Sequence, residues 1–112
     1  MGELDAGRRQ VLLDRIQTQA VAGNLRITQH ALQQMVEESI RLEEVLETVS
    51  SADVLEYYPE HRRGACCLLG GVTQEGRFVH VVCTTERSIL IVITVYEPKP
   101  PKWENPKRRS AR

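Results

Sequence analysis

Hydrophobic residues recur along this chain with two periods, and the change from one to the other falls at Asp53. Between Ala6 and Ala22, Arg9, Leu12, Leu13, Ile16 and Ala20 return at helical spacing with only one side apolar. This predicts an amphipathic surface helix, opened by Asp5 as N-cap and closed at Gly23-Asn24, where glycine tolerates the left-handed conformation of a helix end. A bridge, Leu25-Arg26-Ile27, leads to Thr28, the N-cap of a second helix through about Glu38 that turns Leu32, Met35 and Val36 inward. The third helix, Leu42 to Ser50, repeats Leu42, Val45, Leu46 and Val49 at i, i+3, i+4 and i+7, with Glu43, Glu44 and Glu47 on its solvated side.

Beyond Asp53 the period is two. Val54 to Tyr58 reads as a strand stopped by Pro59, and Ala65 to Gly70 as a second in which Gly70-Gly71 mark a bulge or an edge. After a turn at Gln74-Glu75-Gly76, Arg77 to Pro98 holds two β-rich runs around a short polar break, which is a hairpin signal. Pro98, Pro100 and Pro101 end the ladder. The expected fold is α+β: N-terminal helices on one face of a four-stranded antiparallel sheet, one domain over residues 1–98. A disordered, basic, proline-rich tail over residues 99–112 is expected to add no strand, with Trp103 its anchor on the body.

Register decides which side chains in the hairpin share a face, because alternation places neighbours on opposite sides. Val79, Val81 and Cys83 form an apolar row, as do Ile89, Ile91, Ile93 and Val95. Putting both rows under the helices requires odd positions to face odd ones, which a three-residue loop at Glu86-Arg87-Ser88 provides. His80 then opposes Thr94 and Phe78 opposes Tyr96, on the face away from the helices.

Composition narrows the classes. With one Phe and one Trp, the core must be aliphatic. The net charge is zero but uneven: six bases stand against one acid between Pro98 and Arg112, leaving an acidic body with a basic tail. Such asymmetry points to a polyanion or an acidic partner. No secretory segment or membrane span is visible, and Cys66, Cys67 and Cys83 have no Cys-x-x-Cys spacing, so they read as reduced core residues of a cytoplasmic protein without zinc.

The run Ile27-Thr28-Gln29-His30-Ala31, with Met35, Ile40 and Val45, then His80-Val81-Val82 and Thr94-Val95-Tyr96-Glu97-Pro98 ahead of Trp103, resembles the bacterial domain-of-unknown-function family 4258. The resemblance spans Leu25 to Trp103. It implies a relative of the RelE- and MqsR-type ribonuclease toxins, with helices on an antiparallel sheet and a small antitoxin as partner. The chain departs from that pattern at Gln34 and Glu38, where the family tends to carry bases, and at Ser39, where it tends to carry Gly. The departures weaken phosphate attraction on the second helix.

Metal-independent RNA cleavage needs a base for the ribose 2′-hydroxyl, an acid for the leaving oxygen and a cation for the phosphate. His30, in the first turn of its helix, and His80, mid-strand, are candidate proton carriers. Tyr96 can give a proton or stack on a base, and Thr94 belongs to the same string. Arg62 and Arg63 in a loop, and Lys107, Arg108 and Arg109 in the tail, are candidate phosphate binders. No metal triad, phosphate-cradling glycine loop or nucleophile elbow is present, so neither metal nor cofactor is expected. Two functions are left: an RNA-cleaving or RNA-binding toxin paired with an antitoxin, and a non-catalytic protein-interaction module on the same fold.

Overall fold

Side-chain caps set the helices in the computed structural model, which describes residues 4–100 and 103–109. Asp5 accepts from the Arg8 amide at 2.8 Å and opens α1 (Ala6–Val21). Thr28 accepts from the Ala31 amide at 3.1 Å and opens α2 (Gln29–Glu37). At α3 (Leu42–Ser50) the cap is one-sided: Glu44 Oε1 accepts from the Arg41 amide at 2.9 Å, while the donor-only guanidinium of Arg41 caps nothing in return. Gly23, at φ 72°, ends α1. At the end of α2 the left-handed residue is Ser39, at φ 55°, so the structure needs there the conformation glycine supplies most cheaply.

The sheet is mixed and five-stranded rather than four-stranded and antiparallel. Its order is β1 (Leu25–Ile27), β5 (Leu90–Tyr96), β4 (Phe78–Thr84), β3 (Cys66–Val72), β2 (Asp53–Tyr58). The antiparallel meander β2 to β5 is as expected. The addition is β1, parallel to β5 with Leu25 beside Leu90 and Ile27 beside Val92. Three residues carry too little periodicity to announce a strand whose partner lies far along the chain. Cys67, Leu69, Val79, Val81, Val92 and Val95 face Ile16, Ala31, Met35, Val45 and Val49 in the aliphatic core. The pair Gly70-Gly71 is interior to the sheet. A Cβ on Gly71 would lie 2.2 Å from the Thr48 carbonyl oxygen, so its bare backbone lets the end of α3 settle on β3.

Because β1 reaches only as far as Val92, the rest of β5 is left with a free edge, and α2 lies along it. Thr28 Oγ1 donates to the Ile93 carbonyl, Gln34 Oε1 accepts from the Val95 amide at 2.9 Å, and Glu38 Oε1 accepts from the Glu97 amide at 2.8 Å. This placement buries Ala31 and Met35 but leaves Leu32 and Val36 on the surface, contrary to the inward stripe expected. On α3, Val45 and Val49 are buried, while Leu42 is exposed and Glu44, expected in solvent, is buried by its capping role beside Arg77.

Two corrections bear on the site. The β4–β5 loop runs over five residues, 85–89, held by Arg15 and Gln19 on the Arg87 carbonyl and Asn24 on the Ser88 carbonyl. With it, His80 opposes Tyr96 and Val82 opposes Thr94, until a bulge between Val82 and Cys83 brings Cys83 opposite Val92. Leu90 and Val92 thus face the helices on one side of the bulge and Val95 on the other, in place of the unbroken odd row. The other correction is the tail. Trp103 is buried as expected, but the chain around it is ordered as a hairpin, β6 (Trp103–Asn105) with β7 (Arg108–Arg109). Lys102 and Arg112, counted among the tail's bases, lie outside the described residues. No helix among the described residues is long and apolar enough to cross a membrane.

Candidate functional site

The face of the sheet turned away from the helices carries the polar residues, arranged by strand alternation in cross-strand rows. One row runs Gly70, His80, Tyr96; the next runs Glu56, Leu68, Val82, Thr94. A bulge in β2 between Val54 and Glu56 puts Glu56 and Tyr58 on this face. Gly70 adds no side chain next to His80, so the imidazole has room on that flank.

His80 is 1% exposed, and both ring nitrogens are engaged. Nε2 meets the Pro106 carbonyl, which can only accept, so Nε2 carries the proton. Nδ1 therefore accepts from the Tyr96 hydroxyl at 3.2 Å. The Trp103 ring packs perpendicular to His80 with centroids 4.5 Å apart, and the Arg109 guanidinium lies 4.6 Å over the indole. Arg109 grips Glu56 with two hydrogen bonds, Nε to Oε2 at 2.6 Å and Nη2 to Oε1 at 3.0 Å, and Tyr58 donates to the same carboxylate. The indole Nε1 is buried and finds no acceptor among the described residues. Beside the group, a small cleft of about 60 Å³ opens between Asp53, Gly70, Phe78, His80 and Lys107.

Electrostatics fix the charge states. Burial holds the His80 imidazole below its ordinary pKa, against the opposing pull of the Pro106 carbonyl. The hydrogen bonds from Arg109 hold the Glu56 carboxyl below its usual range. Burial pushes the phenols of Tyr58 and Tyr96 up. At neutral pH the group is a carboxylate, a guanidinium, a neutral imidazole and two protonated phenols, a set able to take and give protons.

Of the residues read from the sequence, the structure brings His80, Tyr96 and Thr94 to one face and adds Arg109 from the hairpin. Lys107 pairs with Asp53 at 3.2 Å and Arg108 with Glu104 at 3.4 Å. His30 is exposed on α2, and none of the described hydrogen bonds or ring contacts joins it to the His80 group. Arg62 and Arg63 sit exposed in the β2–β3 turn, where the Arg63 carbonyl accepts from Arg87. Glu56 and Tyr58 were missed. The bulge that turns them outward leaves no mark on a run read as simple alternation, although a basic tail calls for an acid on the body. Among the described residues no three His, Cys, Asp or Glu side chains gather closely enough to hold a metal ion.

A family model described as Domain of unknown function (DUF4258) matches residues 27–97, a stretch that includes His30, Glu56, His80 and Tyr96 and stops short of the hairpin. No curated protein and no solved structure gives a match.

Proposed function

This chain belongs to the DUF4258 family, defined by sequence and not by an activity, and we propose that it is a toxin-like protein that cleaves RNA without a metal. The observation that carries the reading is the His80–Tyr96 pair on the sheet face turned away from the helices, with a neutral imidazole and the Arg109 guanidinium beside it. With the Pro106 carbonyl withdrawn from Nε2, the imidazole is free to hold its proton on Nδ1 toward the Tyr96 oxygen. The Nε2 lone pair then takes the 2′-hydroxyl proton, and the 2′ oxygen bonds to phosphorus as the 5′ oxygen leaves with a proton from the Tyr96 phenol. Arg109, with Lys107 and Arg108, offsets the charge on the phosphate. The proposal includes the RelE- and MqsR-like relationship, a small antitoxin partner and a cytoplasmic setting. His30, Arg62 and Arg63 would then contact RNA away from the scissile bond.

The test is incubation of the purified protein with single-stranded RNA in EDTA. Products ending in 2′,3′-cyclic phosphate are expected, with loss of at least about a hundredfold in rate for His80→Ala, in line with removal of an acid–base group. Intact RNA with every variant that loosens the hairpin would remove the catalytic reading.

A second reading has its own observation. His80 is almost wholly enclosed, and both its nitrogens are used by the chain's own groups. In an interaction module that pair would serve to seat the hairpin, and the surface offered to a protein partner would lie elsewhere.

A further inference from the structure

The hairpin that closes the open face comes from outside the family-matched stretch, whereas most of what it touches comes from inside. Trp103, Pro106, Lys107 and Arg109 meet His80, Glu56 and Asp53. We propose that this hairpin is a built-in competitor of single-stranded RNA at the His80 site, a deepening that rests on the RNA reading above. Its parts stand where parts of a nucleotide would stand. The indole, a bicyclic ring of purine size, packs against the imidazole and beneath the Arg109 guanidinium, as a stacked base would. The Pro106 carbonyl oxygen holds the imidazole Nε2, where a ribose oxygen would sit.

The attachment is suited to displacement. In the ion pair from Lys107 to Asp53 both side chains are more than 60% exposed, and in the tighter pair from Arg109 to Glu56 the guanidinium side chain is 43% exposed and the carboxylate side chain 27%. The buried anchor, Trp103, is incompletely satisfied, since no acceptor among the described residues lies within hydrogen-bonding distance of its Nε1–H. When the hairpin lifts, Lys107 and Arg109 lose their acidic partners on the body and become available to phosphates, so RNA gains the cations that had held the cover down. The inhibitory segment thus turns into part of the binding surface.

The experiment uses the full chain and two variants, Trp103→Ala, which removes the anchor, and Asp53→Lys, a surface change that repels Lys107. Carbethoxylation of His80 is followed by peptide mass mapping, with His30 and His61 as internal references, and oligoadenylate and oligouridylate binding by fluorescence anisotropy. Expected are at least tenfold faster modification of His80 in Trp103→Ala, a smaller gain in Asp53→Lys, tighter oligonucleotide binding in both, and a preference for oligoadenylate. Oligoadenylate added to the unmodified chain should quench or shift Trp103 fluorescence as the indole leaves its seat. Unchanged His80 reactivity in both variants, or weaker RNA binding in both, overturns the proposal. If His80 is unmasked and binding rises but no RNA is cut, the competitor stands and the catalytic reading falls. If Trp103→Ala fails to fold, His80 reactivity in Asp53→Lys decides, because the added charge tightens RNA binding by itself.

Discussion

Two adjacent glycines on β3 face opposite ways, and replacing each by alanine separates backbone contact from side-chain contact. At Gly71 the added Cβ would lie 2.2 Å from the Thr48 carbonyl oxygen, 3.0 Å from its carbon and 2.9 Å from Ser51 Oγ. To restore ordinary contact the end of α3 must retreat by about 1 Å, in a core packed too tightly to absorb it. That retreat also pulls on Ser51 Oγ, which holds both the amide and the carbonyl of Val72 at 2.9 Å. Overpacking costs about 1–3 kcal/mol, two strained hydrogen bonds add about 1–2 kcal/mol, and alanine in a strand returns roughly 0.5–1 kcal/mol over glycine. The expected net loss for Gly71→Ala is about 1–4 kcal/mol. At Gly70 the new methyl meets the far end of Leu55, at 2.6 Å, and next the His80 ring at 3.5 Å. Leu55 is half-buried and free to turn, so Gly70→Ala should cost under about 1 kcal/mol. Urea unfolding followed by circular dichroism measures both; with a slope of about 1–3 kcal/mol/M, the Gly71→Ala midpoint should fall by roughly 0.3–4 M. Equal costs for the two variants, or less than about 1 kcal/mol at Gly71, would refute the claim that α3 is seated by a missing side chain.

Two further outcomes follow from groups already placed. Gln34→Lys, which moves the chain toward the family's basic pattern, takes the acceptor from the Val95 amide; it should destabilise by about 1–3 kcal/mol and speed exchange of that amide, and unchanged exchange would show that α2 does not close the β5 edge. His80 has a folded pKa below its unfolded one, so the unfolded chain takes up this proton first; stability should be level above roughly pH 6.5 and fall as the pH drops below it. Glu56, also lowered when folded, adds a second loss only as pH falls on through the carboxylate range. Urea midpoints at pH 8, 6 and 4 test this, and His80→Phe should flatten the first step; a midpoint that rises between pH 7 and 5 would contradict the assignment.

Much of the fold was legible because local chemistry and long-range packing agree. The caps at Asp5 and Thr28, the span of α3 and the meander β2 to β5 follow from residues close together in the chain. So does the shared face of His80, Thr94 and Tyr96, because a two-residue error in register keeps parity. What was not legible depends on contacts distant in sequence. The strand β1 exists through pairing with β5, and Leu32 and Val36 point outward because α2 covers an edge rather than a face. Gln34 and Glu38, read as missing phosphate contacts, are acceptors for the amides of Val95 in β5 and of Glu97 just beyond it, a role no lysine or arginine can fill. The hairpin β6–β7 was hidden by its prolines and charges, since Trp103 is the one large apolar group it buries among the described residues.

The bulge in β5 also governs how this strand can be compared with others. Leu90 and Val92 keep one phase of alternation, Thr94 and Tyr96 keep the other, and Ile93 is the extra residue between them, its carbonyl taken by Thr28. A strand lacking Ile93 would present Leu90, Val92 and Val95 inward and Thr94 and Tyr96 outward on a straight ladder, with no bulge needed. Chains differing by one residue at this point can therefore carry the same outward tyrosine beside the same histidine. An alignment that forbids a gap there would match Tyr96 to its neighbour's inward position, and would count a retained site as a lost one.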